Sequence, residues 1–306
     1  MLRAAVVFIL IALVAMEMAW SQLPAITFEV ITTKEGLPSN TVLSATRDHA
    51  GFMWFGTRQC PVRYDGVTFK SFTSYTTNFV TGIQPDKHNN IWVSSDRTAI
   101  SVINGKTLQM SPISGDVKHK GSTGDFYIDK YGYGWFSDHH GINRIDLTSH
   151  KQRHYPFRQT NFIWLKASFV EDLDSNLWVI GRDNGLFRFD RQKDSLVCVL
   201  GADDGKPDQF DQLLGSRAIL GVDGFLWIGT YNFGLLRFDP RTYAVEILPT
   251  GRPENQVLSL EEGLDENGKR ILWVGDNHGL GIFRPDVKKF YFFSGILPHS
   301  YEVNFI

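Results

Sequence analysis

Six tryptophans recur along the chain in one local sequence pattern, and this repeat restricts the fold more than any other feature. The successive spacings are 38, 43, 43, 49 and 46 residues. The indoles lie in GFMWFGT, NNIWVSS, GYGWFSD, SNLWVIG, GFLWIGT and RILWVGD, at Trp54, Trp92, Trp135, Trp178, Trp227 and Trp273. A motif that returns at roughly 20–50 residues indicates a repeat architecture in which each copy is one supersecondary unit.

Turn-forming residues flank every copy of the motif. An acidic turn precedes each indole, at residues 48–51, 86–90, 129–132, 172–176, 223–224 and 265–268. In the last four units a Gly followed by Leu or Ile then begins a further apolar segment, whereas the first two units diverge there. Asp, Asn and Gly favour tight turns, so each unit predicts several short strands joined by turns.

The fifth unit gives the clearest division into strands, predicted at residues 216–222, 226–229, 235–239 and 245–248. The first strand is mostly apolar, which is typical of an innermost strand packed on both faces. The mature sequence has no sustained helical period. We therefore predict an all-β fold, a β-propeller of four-stranded blades. One indole per unit would fill the wedge between neighbouring blades, so all six are expected in the core.

The predicted domain organisation is a propeller at residues 22–306, with repeats at about 36–75, 76–115, 120–158, 162–202, 212–250 and 254–294. Residues 26–32 (ITFEVIT) are predicted to form a strand that pairs with the last blade and hides its edge. Residues 301–306 (YEVNFI) resemble the first strand of a seventh unit. The sequence thus predicts six complete repeats and the first strand of a seventh, in an incomplete ring. A complete six-bladed protein is the alternative.

The N-terminus has the features of a secretory signal peptide at residues 1–21. Arg3 supplies a positive charge, residues 4–16 are apolar, and Ala19 and Ser21 match the small residues of a cleavage site. The apolar run is shorter than the ~20 residues of a membrane span. These features predict a periplasmic protein, and an uncleaved anchor is the alternative.

Charge and cysteine content limit the classes of partner. The chain has 31 basic and 33 acidic side chains, a formal net charge of −2, and this balance argues against a nucleic-acid-binding surface. The two cysteines, Cys60 and Cys198, fall in the first and fourth units. Those blades would lie on opposite sides of a ring, beyond the ~7 Å reach of a disulfide, so two free thiols are expected.

The first unit carries a more specific set of motifs. These are EGLPSN at residues 35–40, RDHAGFMWFGT at 47–57 and RYDG at 63–66. They resemble the two-component regulator propeller repeats in the periplasmic sensor region of Bacteroidetes hybrid histidine kinases. In that family the propellers precede a further β-domain, one span of the inner membrane and a cytoplasmic kinase. The resemblance implies a periplasmic sensor of carbohydrate-derived signals, with the kinase part outside this chain.

A ligand site is predicted at the turns between the second and third strands of the units. These turns differ from unit to unit and would form a polar and aromatic ring at one mouth of the propeller. Such a ring suits an oligosaccharide or another small extracellular ligand, because sugar hydroxyls need donors and acceptors beside apolar groups. The candidates in these turns and in one blade link are Arg58, Arg97, Asp138, His139, Trp164, Arg182, Asp183, Tyr231, Asn232, Asn277 and His278. The alternative is a set of solvated loops.

Other functions stay open from the sequence. No Ser-His-Asp, Cys-His or paired-carboxylate arrangement is evident from linear spacing, so no catalytic residue is assigned and no enzyme is expected on this chain. Asp172, Asp174 and Asn176 resemble the start of a calcium loop but lack its later Gly and Glu, and no metal or cofactor is predicted. The alternatives are a carbohydrate-active hydrolase or lyase, a protein-interaction scaffold and a homodimer contact at the variable face.

Overall fold

The chain folds into six four-stranded antiparallel sheets arranged as the blades of a β-propeller. The computed structural model describes residues 30–73, 79–96, 100–113, 124–138, 140–156, 167–181, 185–201, 210 and 213–293. Within these residues all regular structure is β-strand. Each strand pairs with the next along the chain, so every blade is a simple meander. The predicted all-β propeller is confirmed.

The first three blades contain strands of two to six residues. The first blade consists of Val42–Arg47 (β1), Met53–Thr57 (β2), Pro61–Tyr64 (β3) and Phe69–Ser71 (β4). The second consists of Val80–Pro85 (β5), Ile91–Ser95 (β6), Ser101–Ile103 (β7) and Met110–Pro112 (β8). The third consists of Tyr127–Ile128 (β9), Tyr133–Ser137 (β10), Gly141–Asp146 (β11) and Gln152–Pro156 (β12).

The last three blades have more even strands. The fourth consists of Ala167–Glu171 (β13), Leu177–Gly181 (β14), Gly185–Asp190 (β15) and Ser195–Leu200 (β16). The fifth consists of Gly215–Leu220 (β17), Leu226–Thr230 (β18), Leu235–Phe238 (β19) and Val245–Leu248 (β20). The sixth consists of Ser259–Leu264 (β21), Arg270–Asp276 (β22), Gly279–Arg284 (β23) and Lys289–Phe292 (β24).

The first strand of each blade lies nearest the common axis. First strands of successive blades contact one another in the pairs β1–β5, β5–β9, β13–β17 and β17–β21. The most buried strands are nevertheless the second ones, and all five residues are buried in each of β6, β14 and β18. The expectation that the first strand is packed on both faces holds for β5, which contacts β1 and β9, and for β17, which contacts β13 and β21. The second strand has a paired strand on both edges and a neighbouring blade on both faces.

The repeated indole packs onto the following blade. Trp54 of the first blade lies in one apolar cluster with Val80 and Ile91 of the second. Trp178 of the fourth blade likewise lies with Ile228 of the fifth. Both indoles are almost fully buried, at 1% and 0% exposure. The large planar side chain thus fills the gap that two twisted sheets leave between them.

The indole N–H of five blades donates to an aspartate in the turn before it. The Nε1–Oδ distances are 2.8 Å for Trp54–Asp48, 3.0 Å for Trp92–Asp86, 3.0 Å for Trp135–Asp129, 2.8 Å for Trp178–Asp172 and 3.3 Å for Trp227–Asp223. The same aspartates accept backbone N–H groups of the turn, as Asp48 does from Ala50 and Phe52. One carboxylate therefore closes the turn and satisfies a buried donor that would otherwise destabilise the core.

The sixth indole departs from this pattern. Trp273 is only partly buried and packs on Leu280 and Phe293 of its own blade region. Its N–H has no acceptor among the described residues, because Asp265 lies eight positions before it and instead accepts from two turn amides. The expectation that all six indoles are core was wrong for Trp273. The structure describes no further blade beyond the sixth that would cover this face.

The glycine of the W-x-G-T motif allows close approach between blades. A Cβ at Gly56 would come within 2.8 Å of the Val80 carbonyl oxygen in the next blade, and one at Gly229 within 2.6 Å of the Val257 carbonyl oxygen. Serine hydroxyls bridge the same contacts, with Ser216 Oγ donating to Val257 O at 2.5 Å. A side chain at these glycines would push the blades apart.

A second set of Asx turns joins the third and fourth strands. Asp65 accepts N–H groups from Val67 and Thr68, and equivalent bonds form at Asn104, Asp146, Asp190 and Asp239. The hydrogen bonds from Thr68 and Val67 lower the pKa of Asp65 to about 2. The face that carries these turns and the first-to-second turns is therefore occupied by structural carboxylates.

Several other expectations can be placed on the fold. Of the predicted strand at residues 26–32, only 30–32 are described, and these are not in a strand. Residues 1–21 and 301–306 lie outside the described residues. Cys60 and Cys198 do not form a disulfide with each other, as expected. In the described part of the chain, no helix has the length and apolar character needed to cross a membrane.

Replacing a covered indole should destabilise the protein far more than replacing the uncovered one. We expect Trp178→Ala to lower the free energy of unfolding by about 3–5 kcal/mol, the usual loss for a buried Trp. Trp273→Ala should cost no more than about half of that, because less apolar surface is buried there. Urea denaturation of both variants measures the difference, and equal losses would contradict the described packing.

The turn carboxylates should make the fold acid-sensitive. The pKa of Asp239 is lowered by hydrogen bonds from the Arg241 N–H and the Thr242 hydroxyl, and that of Asp65 falls to about 2. A carboxyl whose pKa is lower in the folded state than in the unfolded state stabilises the fold when it is ionised. This contribution to the free energy of unfolding is complete above the unfolded-state pKa of about 4, and it is lost as the pH falls toward the folded-state pKa. The urea midpoint should therefore fall between about pH 4 and pH 2.

The variant Asp239→Asn keeps an oxygen acceptor for the turn but removes its titration. We expect a shallower pH dependence of the urea midpoint in this variant. Glu266→Gln is the matched control, because Glu266 is exposed and its side chain makes no hydrogen bond in the described structure. A steeper pH dependence in Asp239→Asn than in the unaltered chain would contradict the assignment.

Candidate functional site

The predicted ligand residues that the structure describes all follow second strands. They are Arg58, Asp138, Tyr231, Asn232, Asn277 and His278. Successive turns of a meander alternate between its two ends, so these residues lie on the face opposite the structural carboxylates. Arg97, His139, Trp164, Arg182 and Asp183 lie outside the described residues.

The turn of the fifth blade is held by the chain segments beside it. Tyr231 and Asn232 are both half-buried. The Tyr231 N–H donates to Leu214 O at 2.8 Å, and Leu214 N–H donates to Asn232 Oδ1 at 3.4 Å. Asn255, in the link to the sixth blade, donates its Nδ2 to Asn232 O at 3.3 Å. These bonds fix the backbone that presents the tyrosine and the amide.

The turn of the sixth blade meets the same link. Asn277 Nδ2 donates to Gln256 Oε1 at 2.6 Å and lies 3.3 Å from Glu254 Oε2. His278 is exposed, and its N–H donates to Asp276 Oδ1 at 2.7 Å. The turn therefore offers an oriented amide and a free imidazole at the surface.

Arg252 completes this sector, which we call the blade 5/6 platform and define by Tyr231, Asn232, Arg252, Asn277 and His278. Its Nη1 pairs with Asp276 Oδ2 at 2.5 Å, and its guanidinium carbon lies 3.6 Å from the centroid of the Phe292 ring. The sequence prediction missed Arg252 because its candidates came from the second-to-third turns and from only one blade link, a different one. The polar run PTGRPENQ at 249–256 was the available signal.

Asp138 has a structural role in its turn. Its side chain is buried, at 1% exposure. Oδ1 accepts the N–H groups of His140 at 2.7 Å and Gly141 at 2.9 Å, and Oδ2 accepts Asn143 Nδ2 at 2.8 Å. Thr57 closes the equivalent turn of the first blade through its hydroxyl. Ligand binding by Asp138 would compete with these bonds.

Arg58 lies on the same face but in the first blade, apart from the blade 5/6 platform. It is exposed, with its guanidinium carbon 4.8 Å from the centroid of the Phe79 ring. A guanidinium group held over an aromatic ring can still donate hydrogen bonds to a ligand from its outer side.

An ion pair lies nearer the axis, where Arg217 of β17 pairs with Asp125 of the third-blade segment at 2.5 Å. This ion pair connects two blades that are not neighbours.

Among the described residues, no three His, Cys, Asp or Glu side chains are placed to share a metal ion. The segment that resembles a calcium loop forms a blade turn. Asp172 accepts the Asn176 N–H at 2.9 Å and the Trp178 indole at 2.8 Å. Both of its oxygens are thus used by the fold, as the turn interpretation requires.

A cleft of about 1100 Å³ opens on the opposite face, between the second and third blades. Trp92 and Val102 line one wall, and Ile128 and Leu147 line the other. Sequence reasoning did not predict this cleft, because it arises from the packing of two blades against each other. Its lining differs from that of the blade 5/6 platform, because it combines apolar side chains with free amides.

Comparison with family models gives one match. Residues 36–59 match the model described as the two component regulator propeller. This segment contains the GLPSN start and the first indole motif. No curated protein matches the chain significantly.

Solved structures share the fold at low sequence identity. The extracellular domain of a protein described as a hybrid two-component system from B. thetaiotaomicron aligns with a TM-score of 0.71 and 17% identity, over 91% of this chain and 37% of that one. A second such domain from the same organism gives 0.68 and 19%, over 90% and 38%. Virginiamycin B lyase from Staphylococcus aureus gives 0.66 and 14%, over 86% of both chains. The chain therefore spans less than two-fifths of these two extracellular domains.

Truncation of Asp138 should affect stability before any binding. Asp138→Ala leaves buried donors of His140, Gly141 and Asn143 without an acceptor, and we expect a loss of about 2 kcal/mol in unfolding free energy. Asp138→Asn retains one acceptor oxygen and should lose less. Thermal or urea unfolding separates the two variants. Full stability in Asp138→Ala would contradict the structural role.

Proposed function

The chain carries a two-component regulator propeller repeat at residues 36–59, and from this premise we propose that it is the sensor propeller of a two-component signalling system. The fold is the same as that of extracellular domains of hybrid two-component systems. Because fold alone does not determine function, the family repeat carries more weight than the structural likeness. The kinase that would receive the signal lies outside this chain.

We propose a periplasmic location for this propeller. The apolar N-terminal run and the small residues at 19 and 21 support export through a signal peptide at residues 1–21. The matched neighbours from B. thetaiotaomicron are extracellular domains, which agrees with export. In the full-length protein a span of the inner membrane would connect the sensor to its kinase.

We further propose that the ligand is derived from a carbohydrate and binds at the blade 5/6 platform. The observation that carries this proposal is the preorganised set of Tyr231, Asn232 and Asn277 around the polar link at 249–257. An aromatic ring beside fixed amides matches the alternating apolar and hydroxyl faces of a sugar. Prior fixing of the turns lowers the entropy cost of binding. The same face would also serve a homodimer contact.

Binding of defined oligosaccharides to the purified chain tests this function. Isothermal titration with maltohexaose, cellohexaose, xylohexaose, mannohexaose and trigalacturonic acid should give saturable binding for at least one, with no product on chromatography. Asn277→Ala should weaken that binding by about tenfold, the effect of one or two lost hydrogen bonds. Accumulation of shorter oligosaccharides or unsaturated products would instead establish a carbohydrate-active enzyme.

The matched control is Asn267→Ala, an exposed asparagine in the first-to-second turn of the same blade, on the opposite face. Equal affinities for the two alanine variants would rule out the blade 5/6 platform as the site. Absence of binding to every oligosaccharide would count against a carbohydrate ligand.

A further inference from the structure

The cleft between the second and third blades arises from one substitution in the repeat. In four blades an arginine follows the indole across the sheet, at Arg63, Arg144, Arg188 and Arg237, each paired in register with the Trp of its second strand. In the second blade the residue paired with Trp92 is Val102. The short valine leaves open the space that an arginine side chain occupies in those four blades. The sixth blade also lacks the arginine, since Ile282 pairs with Trp273 there.

The arginines cover the aromatic groups of their blades. The guanidinium carbon of Arg237 lies 3.5 Å from the centroid of the Phe225 ring, and that of Arg144 lies 4.7 Å from the centroid of the Tyr133 ring. In the outermost strand of the second blade, the residue that pairs with Val102 is Ser111, which also has a small side chain. Gln84, Trp92, Val102 and Ser111 thus form one row that faces the third blade.

Uncharged polar groups line the cleft in addition to the exposed side chains of Lys87 and Lys130. Gln84, Gln109 and Ser111 line it, and their side chains make no hydrogen bond within the described structure. Half-buried Val102 and Leu147 provide apolar surface beside them. Free amide and hydroxyl groups next to apolar surface are suited to a ligand that both donates and accepts hydrogen bonds.

The carboxylates around the cleft are already engaged. Asp86 accepts hydrogen bonds from Trp92 Nε1 at 3.0 Å and from Asn90 Nδ2 at 3.0 Å. Burial alone would raise the pKa of the Asp86 carboxyl, but the hydrogen bonds outweigh burial and the pKa is lowered. Asp129 and Glu171 share Arg191, at 3.2 Å each. Asp146 accepts two turn amides. None of the four has both oxygens free for a cationic ligand.

The charge balance also disfavours an anionic ligand. Four carboxylates line the cleft, against the ammonium groups of Lys87 and Lys130 and the guanidinium of Arg191, which pairs with two of them, so these groups together keep one net negative charge. Phosphate, uronate or sulfate groups would enter a region of net negative charge, which costs Coulomb energy at close range. An uncharged ligand avoids this cost and can still use the free amides.

We infer that this blade 2/3 cleft is a second binding site, distinct from the blade 5/6 platform, and that it takes an uncharged oligosaccharide. The cleft lies on the opposite end of the meander from the variable turns, since its walls include the first-to-second turns at Asp86 and Asp129. A chain of several sugar units fits its volume of about 1100 Å³. Ligand contacts come from Gln84, Gln109 and Ser111.

Restoring the arginine of the other blades provides the sharpest test. We expect Val102→Arg to fill the cleft and to weaken binding of the preferred neutral hexaose, among maltohexaose, cellohexaose, xylohexaose and mannohexaose, by at least about tenfold. Trigalacturonic acid should not compete for this site. Val197→Arg is the matched control, because Val197 lies exposed at the outer end of the equivalent row in the fourth blade.

A second variant covers the case in which Val102→Arg does not fold. Gln84→Ala combined with Gln109→Ala removes two free amides without adding volume, and we expect about tenfold weaker binding. Gln192→Ala is its control, an exposed glutamine in a third-to-fourth turn outside the cleft. Both controls should bind as the unaltered chain does.

The Asn277→Ala variant separates the two sites. Because the two sites are separate, Asn277→Ala should weaken only the binding at the blade 5/6 platform. A hexaose-binding phase that the cleft variants weaken and that Asn277→Ala leaves intact supports the cleft. Loss in Asn277→Ala alone overturns the cleft and leaves the proposed function standing. Preference for trigalacturonic acid at the cleft, or failure of every neutral hexaose to bind, also overturns the inference.

Discussion

The bond between a buried indole and a turn aspartate organises this propeller. An indole between two sheets removes a large apolar area from water, yet it carries one N–H that must find an acceptor. In five blades the acceptor is a carboxylate that also closes the turn between the first two strands. Turn geometry, strand register and blade packing are thereby fixed by one pair of side chains.

This arrangement divides the molecule into two chemically different faces. One face carries the carboxylates that close the first-to-second and third-to-fourth turns, so most of its acidic side chains are engaged in the fold. The other carries second-to-third turns with unlike side chains, which the fold leaves free to vary. The blade 5/6 platform lies on this second face. The blade 2/3 cleft is an exception on the first face, since it uses neutral amides that no turn requires.

Local sequence determined much of the architecture. In the fifth blade the predicted strands at 226–229 and 245–248 correspond to Leu226–Thr230 and Val245–Leu248, because turn residues bound them on both sides. The predicted position of Trp273 failed for a nonlocal reason. Its coverage depends on a neighbouring sheet. Its hydrogen bond is lost because Trp273 follows its turn aspartate by eight residues, where four other blades have six; the turn itself has the same length, and the two extra residues lie in β22.

The candidate sites were less accessible to sequence reasoning. The variable turns were identifiable, but the link residue Arg252 became visible only through its contact with Phe292. The cleft depends on what is missing from the second blade, where Val102 replaces the arginine of NRID, FRFD and LRFD. An alignment of the third strands of the repeats would have shown that Val102 stands where other blades have an arginine. The sequence alone does not show that this arginine lies near the indole, so it could not predict that a cleft results.

Hydrogen exchange at the indole N–H groups measures the central interaction directly. In chain labelled with 15N at its tryptophans, and with signals assigned by single Trp→Phe variants, Trp54, Trp92, Trp135, Trp178 and Trp227 should exchange slowly in deuterated buffer. Trp273 should exchange much faster, since its N–H has no acceptor within the described structure. Rapid exchange of all six, or protection of Trp273 equal to that of the others, would contradict the account.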